Sequence, residues 1–245
     1  MSYFHFQRRA PIRLVLKSLI YAAMGMFTRL EVLGRENIPP DGPLIIAANH
    51  FSFADPVALI RMAPWDIDFI AAAVPGFAPK WSTYLPKLWG AFWVYRGTGS
   101  REALRSAEKL LKNGGRLGIF PEGGAWAQVL RPPRPGAAYL TTRGNAPILP
   151  VALYGLNDIF PLRMSNRPRV IANIGKPFGP FKVIGRGREK RDQLDAIGHT
   201  IMQKIAELTP PEMRGRYSDD PAIREAAKPF EAYPWADAIE GDIIN

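Results

Sequence analysis

A histidine and an aspartate lie close together at the point where a short apolar run ends. His50 and Asp55 follow the run from Leu44 to Ala48 and are separated by four residues. On one continuous helix, two residues five positions apart point about 140° away from each other, so a shared site requires a bend. The Asp55-Pro56 pair favours a short loop leading into a helix, which would turn the carboxylate back toward the imidazole. Such a pair is typical of a general base, because the carboxylate orients the ring while the second ring nitrogen accepts a proton.

The same two residues also have a purely structural interpretation. Asp55 would then be the N-cap of a helix that begins at Pro56, and His50 a hydrogen-bonded residue at the end of a strand. Both interpretations stay open on this pair alone. No second histidine or acidic cluster stands nearby in the sequence to complete a set of metal ligands, so we expect no metal site.

Two more charged residues occupy the corresponding place after later apolar runs. Arg96 follows the run at 92–95, and Glu122 follows the run at 117–120. If these runs are parallel strands, their carboxyl ends share one edge of the sheet, which is where ligands bind in such folds. Arg96 offers a planar fork for a phosphate, and Gly123 allows the backbone to approach a ligand closely. Each residue also fits an ordinary surface charge or turn.

The elements that would hold these residues indicate an α/β fold. Short apolar runs are predicted as strands, and amphipathic patterns predict helices over 101–112 and 191–208. The predicted strands are Leu44–Ala48, Phe69–Ala73, Phe92–Tyr95, Leu117–Phe120, Ile148–Tyr154 and Val170–Ile174. Alternation of strands and helices predicts a single α/β domain with a mixed, largely parallel sheet flanked by helices. We expect this domain over residues 31–210, after an N-terminal helix within 1–30 and before a peripheral C-terminal tail at 211–245.

The N-terminal segment has an apolar helical pattern over residues 12–30. Its narrow polar line includes Arg13 and Lys17, and its charge-free stretch from Ser18 to Thr28 is shorter than the about 20 residues that a membrane crossing requires. No small-residue cleavage site indicates a secretory signal. Two interpretations fit: an amphipathic helix in the plane of a membrane, and a helix packed on the domain.

Composition restricts the class of protein and its partners. Of the 245 residues, 47% are hydrophobic and 22% charged, which argues against a disordered chain and a bundle of membrane spans. The chain has no cysteine, so disulfides, thiolate metal sites and cysteine nucleophiles are excluded. A net charge of +10 predicts attraction to nucleic acid, an anionic membrane or a phosphorylated substrate. The basic segment from Arg163 to Arg191 has no recognised nucleic-acid motif, so we expect phospholipid rather than nucleic acid.

Four motifs in a fixed order resemble those of a known enzyme family. They are Asn49-His50 with Asp55, the segment from Gly90 to Arg96, Phe120-Pro121-Glu122-Gly123, and the segment from Ile148 to Gly155. In this order and spacing they resemble the motifs of the glycerolipid acyltransferases, typified by 1-acyl-sn-glycerol-3-phosphate acyltransferase. The resemblance covers about residues 30–175.

The resemblance implies a membrane-associated O-acyltransferase that needs no cofactor. Such an enzyme moves a fatty acyl group from its co-substrate, acyl-CoA or acyl-ACP, to a lyso-lipid hydroxyl. The acceptor expected before any other is lysophosphatidic acid, which the reaction converts to phosphatidic acid. The partners implied are anionic membrane lipids, the acyl-CoA or acyl carrier protein, and the lyso-lipid acceptor. The location implied is the cytoplasmic face of the cell membrane, with peripheral or monotopic attachment.

The resemblance also implies roles for particular residues. His50 would be the general base, and Asp55 the residue that orients it. Arg96, Glu122 and Gly123 would bind the acceptor head group. Arg131 and Arg134 are further candidates for contact with a phosphate or with the donor.

One departure from the family pattern bears on the acceptor. Many members that take phosphate-containing acceptors continue Glu-Gly-Thr-Arg, whereas this chain has Glu122-Gly123-Gly124-Ala125-Trp126, so one arginine is missing. Either Arg96 suffices together with Arg131 and Arg134, or the acceptor is another lyso-lipid or a glycolipid that meets the flat face of Trp126. A non-catalytic protein that binds anionic membranes also stays open.

Overall fold

A seven-stranded sheet forms the centre of the part of the chain that the computed structural model describes, residues 9–73, 84–95, 100–125 and 127–231. The strands are β1 (Arg29–Leu33), β2 (Leu44–Ala48), β3 (Asp68–Ala73), β4 (Phe92–Tyr95), β5 (Arg116–Ile119), β6 (Ile148–Tyr154) and β7 (Arg169–Ile174). Their order across the sheet is β1-β7-β6-β2-β5-β3-β4. The five strands β2 to β6 run parallel, and β7 pairs antiparallel with β6, so β1 and β7 run in the opposite direction. The predicted single α/β domain with a mixed, largely parallel sheet is confirmed.

Helices cover both faces of the sheet. One face carries α1 (Ala10–Phe27), α2 (Asp55–Met62) and α3 (Tyr84–Trp89), and the other carries α4 (Ser100–Lys112), α5 (Gly136–Gly144) and α6 (Gly187–Ala206). A short helix, α7 (Pro221–Ala227), follows α6. Successive side chains of a strand point to opposite faces, so Leu44 and Ile46 of β2 pack under the first layer and Ile45 and Ala47 under the second.

Strand β2 is central and is buried along its whole length. A parallel strand covered by helices on both faces has no polar side, which is why its sequence is an unbroken apolar run. Its ladders align Ala47 with Ile119 of β5, and Ala48 with Val151 of β6. The carboxyl ends of β2, β5 and β6 therefore meet at one edge of the sheet, which we call the carboxyl edge.

The N-terminal helix ends earlier than the predicted range of 12–30. Helix α1 stops at Phe27, the Thr28 hydroxyl bonds back to the Met24 carbonyl, and the chain then enters β1. In β1 the half-buried Leu30 and Val32 alternate with exposed residues, which is the period of a strand at the border of a sheet. The predicted helix therefore included the first two residues of this strand, Arg29 and Leu30.

Polar contacts attach α1 to the domain at both ends. Near its start, the buried Arg13 pairs with Asp68 of β3, and its Nε donates to the Trp89 carbonyl at 3.0 Å. At its end, Arg167 donates to the Thr28 carbonyl at 3.1 Å. Among the described residues α1 is the one helix long and apolar enough to cross a membrane by length and composition, and 17% of it is buried. Helix α1 therefore lies along the domain with most of its apolar surface uncovered.

Candidate active site

The loop after β2 brings His50 and Asp55 into contact. The imidazole Nδ1 lies 2.9 Å from Asp55 Oδ2, and the same oxygen accepts a hydrogen bond from the Ser52 backbone N–H at 2.8 Å. Asp55 is the first residue of α2 rather than the cap before it, and no side chain caps this helix. The bend that a shared site requires is present, and the carboxylate faces the ring instead of the helix N-terminus.

The surroundings of this pair favour proton transfer at one ring nitrogen. Asp55 is fully buried, and burial raises its pKa, while hydrogen bonds from His50 and the Ser52 N–H act against that rise. With Asp55 ionised, Nδ1 carries the ring proton and donates it to the carboxylate, so Nε2 is the acceptor. The ring also stacks on Phe120 at the end of β5, with the centroids 4.0 Å apart. The imidazole is thus fixed from two sides.

Glu122 connects the loop of His50 to a second loop. It is fully buried, and its Oε1 accepts a hydrogen bond from the His50 backbone N–H at 2.9 Å. Its Oε2 accepts one from the Arg131 backbone N–H at 3.1 Å. Burial raises the pKa of Glu122 to about 7, and the two backbone hydrogen bonds act in the opposite direction. Because each oxygen faces a main-chain donor, this geometry favours positioning of His50 over direct contact with an acceptor.

Asn49 is a site residue to which the sequence analysis gave no role. It is fully buried, its side-chain NH2 donates to the Leu153 carbonyl, and its Oδ1 accepts from the Leu153 N–H, both at 2.7 Å. The side-chain amide thereby continues the ladder between β2 and β6 past the last paired residue. The sequence feature that could have indicated this role is a polar residue directly after a predicted buried strand and next to His50.

The two arginines predicted after the Glu122 turn have different surroundings. Arg131 is buried, and its guanidinium donates to the carbonyls of Phe230 at 3.1 Å and Ala125 at 3.5 Å. Arg134 is exposed, and its side chain crosses Gly123, where an added Cβ would lie 3.0 Å from Arg134 Cγ. Arg134 is therefore an exposed residue that stands at the turn carrying Glu122.

Several predictions concern parts of the site that are not tested. Arg96 and Trp126 lie outside the described residues, so their roles stay predictions, although β4 ends beside β3 on the side of the carboxyl edge.

Within the described ranges there is no group of three or more histidines and acids that could hold a metal ion. The C-terminal part beyond residue 210 contacts the loop that follows Glu122, because the Leu130 N–H donates to the Met213 carbonyl at 2.9 Å and Arg131 donates to the Phe230 carbonyl at 3.1 Å.

Known proteins resemble this chain in sequence and in fold. The model of the family described as Acyltransferase matches residues 29–154, which include His50, Asp55 and Glu122. The 1-acyl-sn-glycerol-3-phosphate acyltransferase of Bacillus subtilis is 29% identical over 181 residues, which are 73% of this chain and 87% of that protein. The protein of the same name from Borreliella burgdorferi is 29% identical over 137 residues, 54% of each chain.

A solved structure has the same fold. The crystal structure of PlsC, the 1-acyl-sn-glycerophosphate (LPA) acyltransferase from Thermotoga maritima, matches with a TM-score of 0.53 and 24% identity, over 77% of this chain and 79% of that one. At this identity the match concerns the arrangement of strands and helices. The arrangement of the sheet and its helices is thus shared with a protein of that name.

Proposed function

The chain belongs to the Acyltransferase family, whose model matches just over half of it, and we propose that it acylates the free hydroxyl of lysophosphatidic acid. It is an O-acyltransferase, and its curated relatives bear the name 1-acyl-sn-glycerol-3-phosphate acyltransferase. The observation that carries the mechanism is the 2.9 Å contact between His50 Nδ1 and Asp55 Oδ2, which leaves Nε2 to act as the base.

The chemistry follows from this arrangement. His50 Nε2 takes the proton of the acceptor hydroxyl, and the oxygen attacks the carbonyl carbon of a thioester donor, acyl-CoA or acyl-ACP. A C–O bond forms, the C–S bond breaks, and the departing sulfur receives the proton from His50. The negative charge of the buried Asp55 stabilises the imidazolium between these two proton transfers. The products are phosphatidic acid and the free thiol of the carrier.

Arg134 supports a phosphate-bearing acceptor. The family arginine that is missing here would follow Glu122-Gly123 in the same turn, and the side chain of Arg134 lies against Gly123 of that turn. An arginine side chain can bind a phosphate through two parallel hydrogen bonds, and we propose that Arg134 and Arg96 both contact the acceptor phosphate in this way. The guanidinium of Arg131 is bonded to backbone carbonyls, so we assign it to holding the loop.

We also propose that α1 holds the enzyme on the cytoplasmic face of the membrane. Its outward side chains include Leu14, Val15 and Leu19, which are 60–67% exposed. The pairing of Arg13 with Asp68 fastens the helix lengthwise to the domain, which favours a helix lying in the membrane plane over one that crosses the bilayer. A bilayer would also be the source of the lyso-lipid acceptor.

An acyl-transfer assay tests the proposal. Purified protein receives acyl-CoA or acyl-ACP and, in turn, lysophosphatidic acid, other lyso-lipids and glycolipids. We expect transfer to lysophosphatidic acid that falls about 10²- to 10⁴-fold in His50→Ala. His199→Ala is the matched control, since His199 lies on α6 beside Tyr217, and it should keep wild-type activity. Turnover by a folded His50→Ala protein within about tenfold of wild type, or transfer only to another acceptor, would contradict the proposal.

A further inference from the structure

The loop between β6 and β7 exposes several large apolar side chains. Phe160, Leu162 and Met164 are 49%, 53% and 66% exposed, and they stand at alternate positions. We call residues 160–167 the 160–167 loop. Apolar side chains gathered on one exposed loop are typical of a contact surface, whereas single exposed apolar residues are not.

The 160–167 loop lies at the carboxyl edge. It follows the end of β6 and leads into β7, which runs antiparallel to β6, so both its ends lie at that edge of the sheet. His50 follows β2 at the same edge, and Asn49 is hydrogen-bonded to Leu153 of β6, six residues before Ile159. The loop and the catalytic pair therefore face the same side of the molecule.

The loop also adjoins the exposed side of α1. Arg167 donates to the Gly25 carbonyl at 2.7 Å and to the Thr28 carbonyl at 3.1 Å, which fastens the loop to the end of this helix. Met26, between these two residues, is 48% exposed. The 160–167 loop is thus attached to the end of α1 that carries the exposed Met26.

The charge of this segment matches an anionic surface. The sequence has no acidic residue between Asp158 and Glu189, and the loop itself contains Arg163 and Arg167, whereas Arg169 in β7 is paired with Glu31. Arginine next to exposed apolar side chains suits the boundary of an anionic bilayer, where the guanidinium meets phosphate and the apolar groups meet acyl chains.

We propose that the 160–167 loop is a second membrane-contacting element, which places Phe160, Leu162 and Met164 in the surface of an anionic phospholipid bilayer. The inference rests on the proposed function, because it takes the bilayer as the source of the acceptor. A protein held by α1 alone could rotate about the axis of that helix. Two membrane contacts, α1 and the loop, fix the orientation of the domain relative to the bilayer. The carboxyl edge then faces the bilayer, so that a lyso-lipid hydroxyl reaches His50 while its acyl chain stays in the membrane.

Vesicle flotation with a double variant tests this element. Leu162→Asp with Met164→Asp removes two apolar contacts and adds two negative charges on exposed positions. We expect its partition onto vesicles of phosphatidylglycerol and phosphatidylcholine to fall at least about tenfold. Ile184→Asp is the matched control: Ile184 is 72% exposed and follows β7 at the opposite edge, where Phe178 pairs with Ile148. This control should bind within about twofold of wild type.

The outcomes separate the loop from the proposed function. Flotation of the double variant equal to wild type, with the same thermal unfolding midpoint, would overturn the inference while leaving α1 as the anchor. Equal binding of wild type to pure phosphatidylcholine vesicles would overturn the anionic partner. A change of oligomeric state in the double variant without lipid would identify a second copy as the occupant and also overturn it. Acyl transfer by the wild type in detergent micelles, measured in parallel, tests the proposed function without any bilayer.

Discussion

Exchange of Glu122 for glutamine changes the group that joins the two loops of the site while keeping its size. The wild-type carboxylate accepts hydrogen bonds from the backbone N–H of His50 and of Arg131. Glutamine has one carbonyl oxygen, so one of these donors would face an NH2 group instead. The variant therefore releases one loop without creating a cavity.

The expected size of the effect follows from the lost hydrogen bond. Above pH 7, where Glu122 is ionised, a hydrogen bond to this charged acceptor contributes about 1.5–3 kcal/mol. Displacement of a catalytic group by about 1 Å costs about 10²-fold in rate, which corresponds to about 2.7 kcal/mol of activation free energy. The free energy of the lost hydrogen bond is thus similar to the activation free energy that such a displacement costs. We therefore expect kcat of Glu122→Gln to fall about 10- to 100-fold. The KM for lysophosphatidic acid should stay within about threefold, because Glu122 is assigned no contact with the acceptor.

Steady-state kinetics at saturating donor separate the two roles of Glu122. Glu207→Gln is the matched control, since it makes the same chemical change at an exposed residue paired with Lys204 on the far end of α6, and its kinetics should be those of wild type. An acceptor KM raised tenfold or more with unchanged kcat would refute the positioning role. That result would assign Glu122 to the acceptor head group, as the family resemblance implies.

Acceptor binding, helix attachment and pH dependence provide three more tests. Arg134→Ala should raise the KM for lysophosphatidic acid about tenfold with kcat little changed, and an unaltered KM would remove Arg134 from the acceptor site. Arg13→Ala leaves Asp68 buried without its partner and should lower the free energy of unfolding by about 3–5 kcal/mol in urea. Lys17→Ala, at a more exposed pair with Asp66, should cost below about 1 kcal/mol, and equal losses would contradict the buried-pair argument. The folded protein holds the pKa of Glu122 at about 7, above its unfolded value of 4.5, so its stabilising contribution is complete below pH 4.5 and is lost as the pH rises through 7. Glutamine does not titrate, so the Glu122→Gln variant does not lose stability in this way. Between pH 5 and pH 8 its free energy of unfolding should therefore rise by up to about 3 kcal/mol relative to that of wild type. The same difference between variant and wild type at both pH values would contradict the raised pKa.

The central strands are predictable from the sequence because of where they lie. β2 and β6 are covered on both faces, so each residue is apolar for a packing reason and the run is unbroken. β1 is different, because it borders the sheet and only Leu30 and Val32 are half-buried. A strand with so few buried side chains gives a weak alternating signal, and the neighbouring apolar helix obscures it.

The contact of His50 with Asp55 is predictable because both residues lie on one short loop. The role of Glu122 is not, since its partners are the backbone of His50, 72 residues away, and of Arg131. A motif shows that an acid follows a strand, but it does not show whether that acid faces a ligand or a main-chain donor. The same limit applies to Arg131, because the carbonyl of Phe230, which its side chain binds, comes from the far end of the chain.

The departure from the family pattern after Glu122 has a physical counterpart in the fold. Gly123 has a φ of +76°, a conformation that favours glycine, and an added Cβ would meet the side chain of Arg134. Gly123 therefore has two effects. It turns the chain after the buried Glu122, and its lack of a side chain leaves space for the Arg134 side chain to cross the turn. Arg134, eleven positions after Gly123, thereby lies against the turn in which many members have an arginine two positions after that glycine. Loss of that nearer arginine need not change the acceptor class, because a phosphate responds to the position of a guanidinium and not to its place in the sequence.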